Sequence, residues 1–110
     1  MRIETGREGD RVVVRAQGEI DVRTAPGLRR ALDEAVAAGG GDLVVDMAAV
    51  TFLDSSGLGV LLGRLRRMPP GRRLVLRRPR PTVRALLDLA GVTRLVAVED
   101  GEDGPGRNGG

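Results

Sequence analysis

Hydrophobic residues form short runs in some segments of the chain and recur every three or four positions in others. This pattern predicts strands that alternate with helices. Residues 2–5 and the β-branched run at 11–16 flank the turn-rich sequence GREGD, which is typical of a hairpin. Apolar residues then recur every three or four positions from Leu28 to Val36, which predicts a helix. We expect Thr24 to cap that helix, Pro26 to lie in its first turn, and the glycines at 39–41 to end it.

The rest of the chain repeats the order of strand and helix twice and ends with a strand. Residues 42–47 (DLVVDM) predict a buried strand, residues 48–57 a short link, and the sequence from Gly57 a helix that MPPG stops. Residues 72–77 predict another strand, 81–91 a third helix and 94–98 a last strand. The residues expected on the inner faces of the last two helices are Leu58, Leu61, Leu62, Leu65, Val83, Leu86, Leu87 and Ala90.

This order of elements predicts an α/β fold in a single domain spanning residues 1–100. We expect a mixed, largely parallel sheet of four to five strands packed with three to four helices, the opening hairpin supplying the antiparallel pair. Residues 101–110 combine Gly, Pro and charge without apolar residues, which is typical of a flexible C-terminal tail.

Composition narrows the possible functions. A hydrophobic fraction of 41% with 30% charged residues is that of a soluble globular protein. No apolar run approaches the roughly 20 residues of a membrane helix and no secretory signal is evident, so we expect a cytoplasmic protein without membrane insertion. The absence of Cys and His argues against a metal site. All 18 basic residues are Arg, a bias that suggests a GC-rich bacterial coding sequence.

The segment DSSG at 54–57 places a serine between a predicted strand and the helix that follows it. The first amides of a helix have no partners within it and its dipole is positive there, so a phosphate on Ser55 is expected to be tolerated. Gly57 and Gly59 leave room for another protein to approach the backbone. A second interpretation stays open, in which Asp54 or Ser55 only caps the helix and the glycines relieve packing against the sheet.

Two other functions are disfavoured by the residues. A serine hydrolase needs a base beside Ser55, but the chain has neither His nor Lys, and DSSGLG lacks the G-x-S-x-G pattern. The stretch from Arg64 to Arg84 holds nine arginines and no acid, yet the only aromatic residue is Phe52, so direct nucleic-acid binding is not expected. That stretch is either a solvated face or a docking surface for an acidic partner.

Three segments, spaced over nearly the whole chain, resemble the STAS domain, which is shared by sulfate transporters and bacterial anti-sigma factor antagonists. They are GEIDVRTAP at 18–26, VTFLDSSGLGVLL at 50–62 and PTVRALLDLAGVTRLV at 81–96. In the STAS family a small capping residue usually precedes the last helix, whereas this chain has Arg80 there and departs from the family pattern at that cap. The combination of G-E-I-D with D-S-S-G-L-G is far more specific than either motif alone.

The resemblance implies a non-enzymatic switch in a partner-switching pathway that regulates transcription. Ser55 matches the phosphoacceptor, Asp21 and Asp54 match the acidic residues beside it, and Ser56 is a rival acceptor. The implied partners are an anti-sigma factor that is an ATP-dependent serine/threonine kinase and a metal-dependent serine phosphatase, with no cofactor on this chain. The residues expected to contact the partner are Glu19, Asp21, Thr24, Asp54, Ser56, Gly57, Leu58 and Gly59.

In the implied cycle the unmodified protein binds the anti-sigma factor and frees the sigma factor, and phosphorylation ends that binding. The resemblance also allows an alternative: a STAS module that is never phosphorylated and serves as a structural or regulatory subunit of a membrane transporter or signalling assembly. Because no membrane segment is evident, such a module would have to dock on a separate membrane protein.

Overall fold

The computed structural model describes residues 1–100, and within them the chain forms one five-stranded sheet with three α-helices. The predicted tail at 101–110 lies outside the described residues. The strands lie in the order of the sequence, β1 to β5; β1 and β2 are antiparallel and all later pairs are parallel. The predicted α/β class with a mixed, largely parallel sheet is therefore confirmed. The elements are β1 (Arg2–Glu8), β2 (Arg11–Ile20), α1 (Ala25–Ala37), β3 (Leu43–Leu53), α2 (Ser55–Arg66), β4 (Leu74–Arg77), α3 (Pro81–Leu89), a 3-10 turn (Val92–Arg94) and β5 (Ala97–Glu99).

One face of the sheet and all three helices share a single hydrophobic core. Alternate residues of β2, such as Val12 and Val14, point into it together with Leu28 of α1, Leu61 of α2 and Leu87 of α3. Each of these side chains is at most 2% exposed. Period-two alternation in the strands and the 3.6-residue period in the helices meet at this core, which is why the sequence pattern located most of the elements.

Within residues 1–100, the opposite face of the sheet carries no helix, and ion pairs lie over its apolar residues. Val13, Val44 and Val75 form a small second cluster there. Arg77 crosses this face to Glu8, with two contacts of 2.8 Å, and also reaches Glu99 at 3.3 Å. The aliphatic parts of such long side chains can cover apolar surface while the charged groups pair.

Several sequence predictions of local structure were wrong. Of the strand predicted at 94–98, only 97–98 belong to β5, because a 3-10 turn ends at Arg94. Residues 48–53 are not a link, because β3 continues to Leu53, pairing with the end of β2 beyond an irregularity in register between Arg15 and Gln17. Helix α2 begins at Ser55, two residues before Gly57, since Asp54 provides the N-cap. Ala90 is exposed, because α3 ends at Leu89 and only its first two turns face the sheet.

Candidate functional site

The acidic residues Asp21 and Asp54 lie side by side at the carboxyl ends of two neighbouring parallel strands. Ile20 of β2 pairs with Leu53 of β3, so the residue after each strand end emerges at the same edge of the sheet. The amide of Asp54 donates to the carbonyl of Ile20 at 3.2 Å and joins the two chain segments. Ligands of open α/β sheets commonly bind at this edge, and the structure brings the GEID and DSSG motifs together there.

Asp54 is the N-cap of α2. One of its carboxylate oxygens accepts hydrogen bonds from the amides of Ser56, at 2.9 Å, and Gly57, at 3.3 Å. Asp54 has an extended backbone, as N-cap residues usually do. Asp54 therefore caps the helix, as the second interpretation of DSSG proposed, and its carboxylate already binds two of the first amides of α2.

The turn before α1 is closed by Asp21 together with Thr24. The Asp21 carboxylate accepts from the amides of Arg23, at 2.9 Å, and Thr24, at 3.2 Å, while the Thr24 hydroxyl accepts from the amide of Asp21 at 2.9 Å. This reciprocal pattern is that of a capping box with Asp21 in the capping position. Thr24 is the N-cap residue of α1, as predicted, but its side chain makes no capping hydrogen bond to the helix.

Those contacts also set the charge of the turn. The amide of Arg23, donating to Asp21, holds the pKa of that carboxyl below its usual range, with further contributions from Thr24. Asp21 is therefore an anion at neutral pH. The Thr24 hydroxyl donates to the carbonyl of Glu19 at 2.8 Å, which fixes the turn, while the Glu19 side chain is exposed.

Ser55, the first residue of α2, is exposed, whereas Ser56 is half-buried. Ser55 lies at one side of a shallow groove of about 390 Å³ between the start of α2 and the start of α1. A hydroxyl in this position is open to solvent and to an approaching protein. The residues that line the groove are Val22, Ala25, Pro26, Arg29, Ser55, Ser56, Gly59 and Val60.

Two of the three glycines of α2, Gly57 and Gly59, have different surroundings. Gly57 is buried, and a methyl group there would overlap Cδ1 of Leu53 and lie 2.8 Å from Cγ2 of Ile20. Gly59 is exposed, and a methyl group would meet no atom within 4 Å. Leu58 is half-buried and packs against the core. Packing against the sheet therefore explains Gly57, and of the two glycines only Gly59 presents open space.

The arginine-rich stretch is largely tied into the fold. Arg64 and Arg67 pair with Asp33, at 2.7 and 3.4 Å, and Arg80 donates to the carbonyl of Ala48 at 2.9 Å instead of capping α3. Within residues 1–100, Arg66 is the member of this group without a carboxylate or carbonyl partner. The carboxylates that pair with these arginines lie elsewhere in the sequence, so the absence of acidic residues between Arg64 and Arg84 did not leave most of the arginines unpaired. The other paired arginines are Arg72, Arg73, Arg77, Arg78 and Arg84.

Three surface residues beside the site were not singled out by the sequence. Val22, in the turn after β2, is 71% exposed, and Phe52, near the end of β3, is 48% exposed. Arg29 of α1 lines the groove with Ser55. Their signal was weak, because a valine in a turn, a phenylalanine late in a strand and an arginine on a helix are each common. Val22 and Arg29 come together at the groove only once the turn after β2 and helix α1 are assembled, and Phe52 lies beside Glu19 only because β2 pairs with β3.

The described residues offer no evident metal or membrane site. Between Met1 and Asp100, no group of three or more potential metal-binding side chains comes together. In that same part of the chain, no helix has the length and apolar character needed to cross a membrane.

Comparison with known proteins identifies the family. The STAS domain model matches residues 2–104. The chain is 32% identical over 104 residues to a protein named anti-sigma F factor antagonist from Paenibacillus polymyxa, covering 93% of this chain and 89% of that protein.

Comparison with solved structures supports the same family assignment. The crystal structure of an anti-sigma factor antagonist from Mycobacterium paratuberculosis superimposes with a TM-score of 0.86 and 28% identity, over 91% of this chain and 86% of that one. The structure of the Bacillus cell fate determinant SpoIIAA in its phosphorylated form gives a TM-score of 0.66 and 26% identity, over 88% and 90% of the two chains. The strand order, the paired acidic turns and the match over almost the entire sequence lead to one conclusion: this chain belongs to the STAS domain family.

Proposed function

We propose that this protein is an anti-sigma factor antagonist whose unmodified form binds an anti-sigma factor and is switched off by phosphorylation of Ser55. The observation that carries the proposal is the exposed Ser55 hydroxyl at the start of α2, at the sheet edge where Asp21 and Asp54 also lie. The names of the matched relatives support the same role, and they do not favour the alternative of a transporter subunit.

In the proposed modification, the Ser55 oxygen attacks the γ-phosphorus of ATP bound to the anti-sigma factor, which is itself a kinase. An oxygen–phosphorus bond forms, the bond from the γ-phosphorus to the bridging oxygen of ADP breaks, and the hydroxyl proton passes to a base of the kinase. This chain is the substrate and supplies only the nucleophile. A serine phosphatase returns the hydroxyl by hydrolysis and so restores binding.

The surroundings of Ser55 explain why the added phosphate weakens binding. It brings about −1.5 to −2 charges at pH 7 beside the carboxylates of Asp21 and Asp54. A partner surface that fits the neutral hydroxyl then meets extra volume and like charge. A loss of about 3 kcal/mol in binding free energy corresponds to roughly a hundredfold weaker affinity.

Ser55 is favoured over its neighbour by exposure. A kinase has to place the acceptor oxygen against ATP, and the exposed Ser55 allows this without local unfolding. Ser56 is half-buried, and its amide is held by the cap Asp54. We therefore assign modification to Ser55, with Gly59 as the part of the neighbouring surface most open to the partner.

The test is phosphorylation by the cognate kinase with ATP, followed by peptide mass spectrometry. We expect one phosphate on Ser55 in the wild type and in Ser56→Ala, and none in Ser55→Ala, which keeps Ser56 as an internal control. In calorimetry, Ser55→Ala should bind the anti-sigma factor persistently and Ser55→Asp weakly. Phosphate on Ser56, no phosphate at all, or equal affinities of the two Ser55 variants would contradict the proposal.

A further inference from the structure

Arg29 lines the same groove as Ser55 and has no partner among the residues that the structure describes. It is exposed on the first part of α1, and within residues 1–100 no carboxylate or carbonyl contacts its guanidinium. Arg64 and Arg67, at the far end of α2, both pair with Asp33, and Arg66 does not line the groove. Among the groove-lining residues of the described chain, Arg29 is the one cation.

A phosphate on Ser55 would find few free donors at the start of α2. The amides of Ser56 and Gly57 are already bound by the carboxylate of Asp54. That carboxylate repels a second anion, so the helix N-terminus cannot by itself compensate the new charge. A guanidinium across the groove offers planar paired donors that match phosphate oxygens.

The floor of the groove leaves a path for that guanidinium. One of its terminal nitrogens, Nη1, now lies 3.9 Å from the point where a methyl group on Gly63 would be, farther along α2 than Ser55. Between these two positions lies Gly59, which presents open space and no side chain. Rotation about the flexible bonds of the arginine can therefore carry its guanidinium past the open position at Gly59 toward Ser55.

We propose that Arg29 forms an ion pair with phosphorylated Ser55, so that the modified protein closes its own groove. The inference rests on the proposed phosphorylation of Ser55. It adds a second reason for the loss of binding: the partner meets not only a new negative charge but also an arginine side chain drawn over the surface that it would contact. Arg29 thereby becomes part of the switch as a positioning residue for the phosphate.

The test measures the second pKa of the phosphate directly. Protein carrying phosphoserine at position 55 is produced by genetic encoding, which needs no kinase, and its ³¹P NMR signal is followed from pH 4 to 8. A neighbouring guanidinium favours the dianion and lowers this pKa from its usual value of about 6. We expect Arg29→Gln to raise it by about half a unit, the size of an exposed ion pair.

Arg30→Gln is the matched control. It removes the same charge from the next position of α1, where Arg30 is exposed but does not line the groove. A rise of this pKa in Arg29→Gln alone supports the pairing, whereas equal rises in both variants, or none in either, would overturn it. Because the phosphate is installed without a kinase, this failure differs from failure of the proposed function, which would appear as an unmodified Ser55 after kinase treatment.

Discussion

Gly57 and Gly59 offer two Gly→Ala substitutions in one helix whose effects on stability should have opposite signs. Both residues lie in the first two turns of α2, so alanine gains the same intrinsic helix preference at each, up to about 1 kcal/mol. Only their surroundings differ. Gly57 faces the sheet, while Gly59 faces solvent at the groove.

The overlap at position 57 sets the magnitude. The new methyl group would lie 2.8 Å from Cγ2 of Ile20 and would overlap Cδ1 of Leu53. The end of the Leu53 side chain can rotate, but Ile20 is branched at Cβ and fully buried, so its methyl moves only with a change of χ1 or a shift of the helix. Overpacking of this kind costs about 1–3 kcal/mol. After the gain in helix preference, we expect Gly57→Ala to lose about 1 kcal/mol of unfolding free energy.

Urea denaturation followed by far-UV circular dichroism measures both variants, since the chain has no Trp or Tyr for fluorescence. Gly59→Ala should unfold at higher urea than the wild type, by up to about 1 kcal/mol, and Gly57→Ala at lower urea with the same m-value. Equal midpoints for the two variants would refute the assignment of Gly57 to packing and Gly59 to the surface.

Two further predictions concern the carboxylates. Asp54→Ala should lower the unfolding free energy by about 1 kcal/mol in thermal denaturation through loss of the N-cap, whereas Asp54→Asn should stay within a few tenths; equal losses would exclude a capping role. Stability should also fall as pH is lowered from 7 to 3. Burial raises the pKa of Asp46, but the amide of Ala48 and the guanidinium of Arg78 lower it more, and a hydrogen bond from Arg77 lowers the pKa of Glu8. A carboxyl group whose pKa is lower in the folded state stabilises the protein at pH values above its unfolded-state pKa, which is about 4. That stabilisation is lost as the pH falls through the folded-state pKa. An unchanged urea midpoint at about pH 3 would therefore contradict these lowered pKa values.

Element type could be predicted from the sequence because it depends on local periodicity. The helix containing Leu28 and Leu32 and the buried strand containing Val44 and Val45 were located this way. Residues 48–53 could not be, because their alternation is interrupted by Ala48 and Ala49, and only pairing with β2 makes them a strand. The end of β3 determines where Ser55 emerges, so the part of the fold that positions the site depends on long-range pairing.

Contacts at the site were harder to predict than its location. The motifs indicated that Asp21 and Asp54 belong with Ser55, but not that their carboxylates already bind the amides of their own turns. Charge was misleading in a similar way, since the run from Arg64 to Arg84 is neutralised by acids that are distant in sequence, such as Asp33. Hydrogen-bond and ion partners separated by 30 residues or more leave no local signal.

The same contacts determine how a phosphate on Ser55 can act. Both carboxylates beside it are held by backbone amides, and the helix that carries Ser55 is anchored through Gly57 against Ile20 and Leu53. A charge added to an exposed side chain on this frame has no buried contact to break, so it cannot act by unfolding α2. What remains free to respond is the surface: the groove, the open position at Gly59 and the side chain of Arg29. Phosphorylation should therefore leave the core amide signals of β2 and β3 in NMR spectra unchanged and move those around the groove, and widespread changes in the core would mean that the switch acts through the fold instead.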